Sequence, residues 1–192
     1  IKNFIKKNNL HRPNRNAFIL LRKKLDRCYQ RPFRQGKVFS QDVRKMSKIK
    51  NSSVNLIITS PPYTRVIKYG QFNWIRLWFL NKQEKEVDKK LFFSQSLPKY
   101  YDFMSRALKE FKRVLMPNGN AVLVVGDVKD RTSNKIFNLA DGIWKNCAEP
   151  LGFKLVEPIQ IDVISDDTKV SKIWGAKKGN ATKIDRILVI RN

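Results

Sequence analysis

One short run constrains this chain more than any other: Val54-Asn55-Leu56-Ile57-Ile58-Thr59, apolar and β-branched, which ends directly against Ser60-Pro61-Pro62-Tyr63. A strand with one wet face alternates apolar and polar residues. A nearly continuous apolar run is instead the pattern of a strand buried on both faces of a parallel sheet. The two prolines then stop the strand, because each fixes φ and neither offers a backbone N–H to the ladder. A rigid turn must follow, carrying a small hydroxyl and an aromatic ring. Ligands of open α/β sheets bind at such carboxyl ends of strands, so Ser60, Pro61, Pro62 and Tyr63 are the leading candidates for a functional site.

Charge is the second constraint. Forty Lys and Arg face sixteen Asp and Glu, for a formal net charge of +24 over 192 residues. The first fifty residues carry sixteen of the cations against Asp26 and Asp42 alone. An excess this large and this uneven is the electrostatic footprint of a polyanion, which points to nucleic acid bound in a strongly salt-dependent way. Length indicates a single main domain, and an apolar content of 42% suffices for a core. No apolar run reaches the eighteen residues of a membrane span, and no secretory signal is expected at the amino end. Cys28 and Cys147 give neither a disulfide framework nor a metal-ligand spacing. Both are expected as small core residues.

Periodicity organises the rest. Residues 1–36 read as a basic arm and a helix over 17–30, capped by Asn16, with Phe18, Leu21, Leu25 and Cys28 on one face. Lys37–Asp42 reads as a short strand ending in an acid. The aromatics Phe72, Trp74, Trp78 and Phe79 are expected to pack a helix into the core rather than to form a stacking platform. Asn81–Lys90 is a charged, exposed segment. Ser96 and Pro98 open a helix that keeps its period through Phe103, Ala107, Leu108, Phe111, Val114 and Leu115. Met116-Pro117-Asn118-Gly119 turns into a second buried strand over 121–126, with Asp127 at the same sheet edge as Ser60. A helix at 134–147, a strand over 154–164, a polar loop and a last strand over 184–190 complete the chain.

The turn after the first strand resembles the catalytic motif of the amino-methyltransferases, which methylate an exocyclic nitrogen of a nucleobase. Its serine form is similar to that of the N4-cytosine DNA methyltransferases, and the likeness covers roughly residues 37–192. The resemblance implies a Rossmann-like α/β methyltransferase sheet, mostly parallel with an antiparallel carboxyl-terminal hairpin, S-adenosylmethionine as cofactor and DNA as partner. It also implies roles. Ser60 and the carbonyl of Pro61 accept hydrogen bonds from the amine, beside the cofactor. Tyr63 stacks on a base drawn out of the duplex. Asp42 lies near the cofactor's adenine amino group, with capping of the turn at Val43–Met46 as the alternative. Arg65, Lys68 and Tyr69 after the motif, and Lys172, Lys177 and Lys178 in the last loop, are the candidate nucleic-acid contacts. Neither cysteine follows a proline, which argues against the covalent cysteine route of C5-cytosine methylation.

One part of the family pattern is missing from the sequence. None of the eight glycines forms the glycine-rich turn after a strand that holds the methionine end of the cofactor. Asn118-Gly119-Asn120 precedes a strand instead. The first βαβ part of the sheet is expected to come from a complementing chain or segment; the alternatives are a degenerate subunit that needs an active partner, or a divergent loop that binds the cofactor. The rival readings are adenine-N6 or RNA-base methylation and a non-catalytic nucleic-acid-binding subunit. The chain is expected in the cytoplasm.

Overall fold

The computed structural model describes residues 2–9, 16–29, 35–62, 64, 69–129, 135–163 and 181–192. The chain divides into two units, 1–39 and 40–192. The first unit holds helices α1 (Lys2–Lys7) and α2 (Ala17–Cys28). Asn16 caps α2 as expected, its side-chain oxygen accepting the N–H groups of Phe18 and Ile19 at 2.9 and 3.2 Å. The apolar stripe of α2 is not a core face, however: no residue of the helix is buried, and Cys28 is exposed. Lys37–Asp42 also departs from expectation, since it forms no strand.

The second unit is built on a mixed sheet. Its strands are β1 (Val54–Thr59), β2 (Leu115–Lys129), β3 (Ile136–Phe137), β4 (Lys154–Leu155), β5 (Gln160–Val163) and β6 (Ala181–Arg191). The order is β1-β2-β6-β4, with β3 beside β2 and β5 beside β6. Only β1 and β2 run parallel; the other pairings among the described residues are antiparallel. A mostly parallel sheet was the expectation. The difference arises because this chain supplies one βαβ crossover, β1 to β2, and then antiparallel returns. The expected closing hairpin is present as β5 and β6.

The crossover is made by α6 (Leu97–Val114), which starts at Ser96 with Pro98 just inside. Tyr100, Phe103, Met104, Leu108 and Phe111 repeat at helical spacing and are buried against the sheet. The strand residues they meet alternate as a pleat requires: Ala121, Leu123 and Val125 on β2, Leu188 and Ile190 on β6. The expected helix at 134–147 is split. Short α7 (Leu139–Ile143) runs into a wider π-helical turn, Trp144–Ala148, which brings Cys147 into the core. Gly142 has no room for a Cβ, since that atom would fall on the Tyr101 hydroxyl of α6. The expected strand 154–164 is likewise two strands, β4 and β5.

The sheet has one covered face and one open face. The two helices packed on it, α6 and α7, share a single core cluster and therefore one side. On the other side Leu56 and Ile58 are 51% and 70% exposed, and Val122, Val124, Ile187 and Val189 are half-buried. Ile58 pairs in register with Val122, and Val122 with Val189, so these residues form one apolar surface. The expectation that β1 is buried on both faces thus fails: β1 is the end strand of the described sheet, with one neighbour and one covered side.

Candidate active site at the carboxyl edge of the sheet

At Thr59, in register with Leu123 of β2, the first strand ends and the proline turn begins. Pro61 is buried, Pro62 half-buried, and Ser60 is exposed at the rim. Two residues on, the buried Thr64 hydroxyl donates to the carbonyl of Ser94 at 2.6 Å. This clasp closes the base of a helical lobe made of α3 (Tyr69–Phe72), α4 (Trp74–Phe79) and α5 (Glu84–Lys90). Gly70 is clamped inside it, with its N–H donating to Asp88 at 2.6 Å and no space for a side chain beside the carbonyl of Glu84. The lobe therefore stands on the edge that carries Ser60.

The core-packing role expected of the lobe's aromatics is overturned. No residue of α4 is buried; Trp74, Trp78 and Phe79 are 57%, 67% and 76% exposed. Tyr69 opens α3 at the surface. Tyr63, Arg65, Lys68, Lys172, Lys177 and Lys178 lie outside the described residues.

Asp42 stands in a turn held on α6. The carboxylate of Glu110 accepts the N–H of Met46 at 2.7 Å and the Arg113 guanidinium at 2.8 Å. Arg113 in turn donates to the carbonyls of Met46 and Ile49 and to Asn51. Asp42 itself accepts the backbone N–H of Arg44 at 2.8 Å and faces its guanidinium at 2.7 Å. The Arg44 side-chain hydrogen bonds, and then its backbone N–H, hold the carboxyl at about 2. The carboxylate thus caps its own turn and is neutralised by Arg44, whose guanidinium lies 5.5 Å from the Phe103 ring centre.

Asp127, expected at the same edge as Ser60, is there but points under the helices. It is buried and receives Arg186 of β6 through two hydrogen bonds of 2.8 and 3.0 Å. This pair fixes β2 to β6 near the edge. Arg186 was not among the expected site residues. A cation inside the apolar run Ile184–Ile190 signals it, because a charge there needs an acidic partner.

Residues 54–179 match the N6/N4 DNA methylase family. The chain belongs to this family. The chain is 32% identical over 113 residues to the type II methyltransferase M.MjaI of Methanocaldococcus jannaschii, a match covering 54% of this chain and 36% of that protein. Among solved structures, a DNA modification methylase of Thermus thermophilus in complex with S-adenosyl-L-methionine is 26% identical with a TM-score of 0.49, over 79% of this chain and 53% of that one. The cytosine-N4-specific PvuII DNA methyltransferase is 15% identical with the same TM-score, over 79% and 47%. The chain thus spans about a third of the curated relative and about half of these structures.

Gly119 lies at the amino edge of the sheet, where a Cβ would meet the carbonyls of Met116 and Asn55, and Asn118 before it takes φ of 63°. Both residues lie in the first part of β2, where its register with β1 shifts, at the end opposite Ser60. Among the described glycines none makes a turn after a strand at the carboxyl edge.

Proposed function

We propose that this chain is the catalytic half of an S-adenosylmethionine-dependent DNA methyltransferase that modifies the exocyclic N4 amine of cytosine. The observation that carries the reading is the Ser60-Pro61-Pro62 turn at the carboxyl end of β1 in a chain of the N6/N4 DNA methylase family. An exocyclic amine is a weak nucleophile because its lone pair is drawn into the ring. The Ser60 hydroxyl and the Pro61 carbonyl accept its two N–H hydrogens and return the lone pair to nitrogen. Proline at 61 and 62 keeps that carbonyl aimed, since φ is fixed and no N–H competes for it. Tyr63 stacks on the extruded base and offsets part of the cost of extrusion. The cofactor supplies an electrophilic methyl group, and Asp42 lies beside its adenine end, sharing its carboxylate with Arg44. Arg65, Lys68, Tyr69, Lys172, Lys177 and Lys178 contact the nucleic-acid backbone. The cytoplasm is the place of action.

A complementing segment, on the same polypeptide or on another, brings the glycine-rich turn. Two features support this: the free edge of β1 and the apolar open face of the sheet. Natural proteins cover such edges and faces.

The test is tritiated methyl transfer from S-adenosylmethionine to mixed-sequence DNA, followed by digestion to nucleosides. Label in N4-methylcytosine is expected once the segment that completes the sheet is present. Label in N6-methyladenine would move the assignment to adenine. Ser60→Ala should lower turnover by roughly 100-fold or more with DNA affinity nearly unchanged; an equal loss of both would remove Ser60 from the chemistry.

A further inference from the structure

The lobe clasped by Thr64 and Ser94 carries a surface that the reaction does not use. Across α4 and the residue after it, Trp74, Trp78, Phe79 and Leu80 are all exposed, and the Trp78 and Phe79 rings meet edge to face with centres 5.0 Å apart. Beside them runs an open groove of about 340 Å³, lined by Trp74, Trp78, Lys82, Gln83, Glu84 and Lys85. We propose that this groove is a stacking platform for unpaired bases of the DNA strand next to the target, distinct from the Ser60–Pro62 site. The proposal rests on the DNA reading above.

Three observations favour a nucleic-acid strand over a protein partner. The tryptophans share the groove with Lys82 and Lys85, whereas lysine is depleted from the centres of protein–protein contacts. Rings that offer a π-face between backbone-binding cations are the recurring construction of single-strand sites. The lobe also leaves the sheet at the edge where a base must be drawn out, and extrusion leaves neighbouring bases without their stacking partners. Trp74 and Trp78 take up those bases, Lys82 and Lys85 follow the phosphates, and Gln83 offers both donor and acceptor to a base edge.

The test uses the full chain and a short oligonucleotide containing 2-aminopurine, presented single-stranded and as a duplex. The wild type should bind the single strand and quench its fluorescence. Trp74→Ala with Trp78→Ala should weaken single-strand binding by about 10-fold to 100-fold and abolish the quench. Duplex affinity should change less than about 2-fold, since phosphate contacts dominate it. Both side chains are exposed, so the fold should survive, as far-UV circular dichroism will report. Lys82→Ala should lower the salt slope by about one. Unchanged single-strand binding in the double variant, with duplex binding intact, overturns the platform alone. Loss of self-association instead, seen by size-exclusion chromatography, would assign the surface to a protein contact and also overturn it. No binding of either DNA form by the wild type would overturn the DNA reading together with the platform.

Discussion

The two faces of the sheet are made of similar residues and have different fates. On one face Ala121, Leu123, Leu188 and Ile190 are sealed beneath α6 and α7. On the other, Leu56, Ile58, Val122 and Val189 are equally apolar and only partly shielded. A side chain such as Ile or Leu gains roughly 1.5–3 kcal/mol from full burial, so the open face holds stabilisation that this chain leaves unrealised. The covered face makes the fold, and among the described residues the other face stays partly in contact with water.

The contrast can be broken most forcefully at Asp127. Replacing it by Asn or Ala leaves Arg186 without its partner beneath the helices, which should cost about 3–5 kcal/mol in urea denaturation. A loss below about 1 kcal/mol would mean that this end of the covered face is wetter than its burial implies. Leu188→Ala on the same face should cost about 2–5 kcal/mol. Arg113→Ala, which removes hydrogen bonds to two carbonyls and to Glu110, should lower the urea midpoint less than Leu188→Ala does and free the turn that carries Asp42. Ile58→Lys on the open face should change stability by no more than about 0.5 kcal/mol.

The smallest effect concerns pH. Asp162 and Asp185 stand directly opposite on β5 and β6. Burial, and then the charges of Asp162 and Asp127, push the Asp185 carboxyl up from its ordinary value of 3.8. A carboxyl raised in the folded state favours folding when protonated, so stability should fall as pH rises from that ordinary value through the raised one. Asp185→Asn should remove that fall and add a few tenths of a kcal/mol at neutral pH. A variant with the original slope would show that Asp185 is not its source.

Legibility follows the same divide. Helix α6 can be read to its first residue, because Ser96, Pro98 and an unbroken period agree with what it packs on. The run Val54–Thr59 misleads, since a continuous apolar run reads as buried on both faces while Leu56 and Ile58 stand exposed. The aromatics at 72–79 mislead for the same reason, as apolarity alone does not distinguish a core from a binding surface. The π-helical turn at 144–148 is not legible, since one extra residue per turn leaves Ile143 and Cys147 on nearly the same stripe. Ser60, Pro61 and Pro62 stand out because a proline pair after a strand has few other uses. Arg186 can be found by asking what neutralises it.

The clasp between Thr64 and Ser94 has an evolutionary corollary. The link brings together the two ends of the stretch between the Ser60–Pro62 turn and α6, so the middle of that stretch can be exchanged like a cartridge while the sheet stays as it is. The entropy of closing a loop grows only with the logarithm of its length, about 0.6 kcal/mol for each doubling. Descendants of this chain can therefore try longer or differently decorated cartridges at little thermodynamic risk, and diversify what they read without touching how they react.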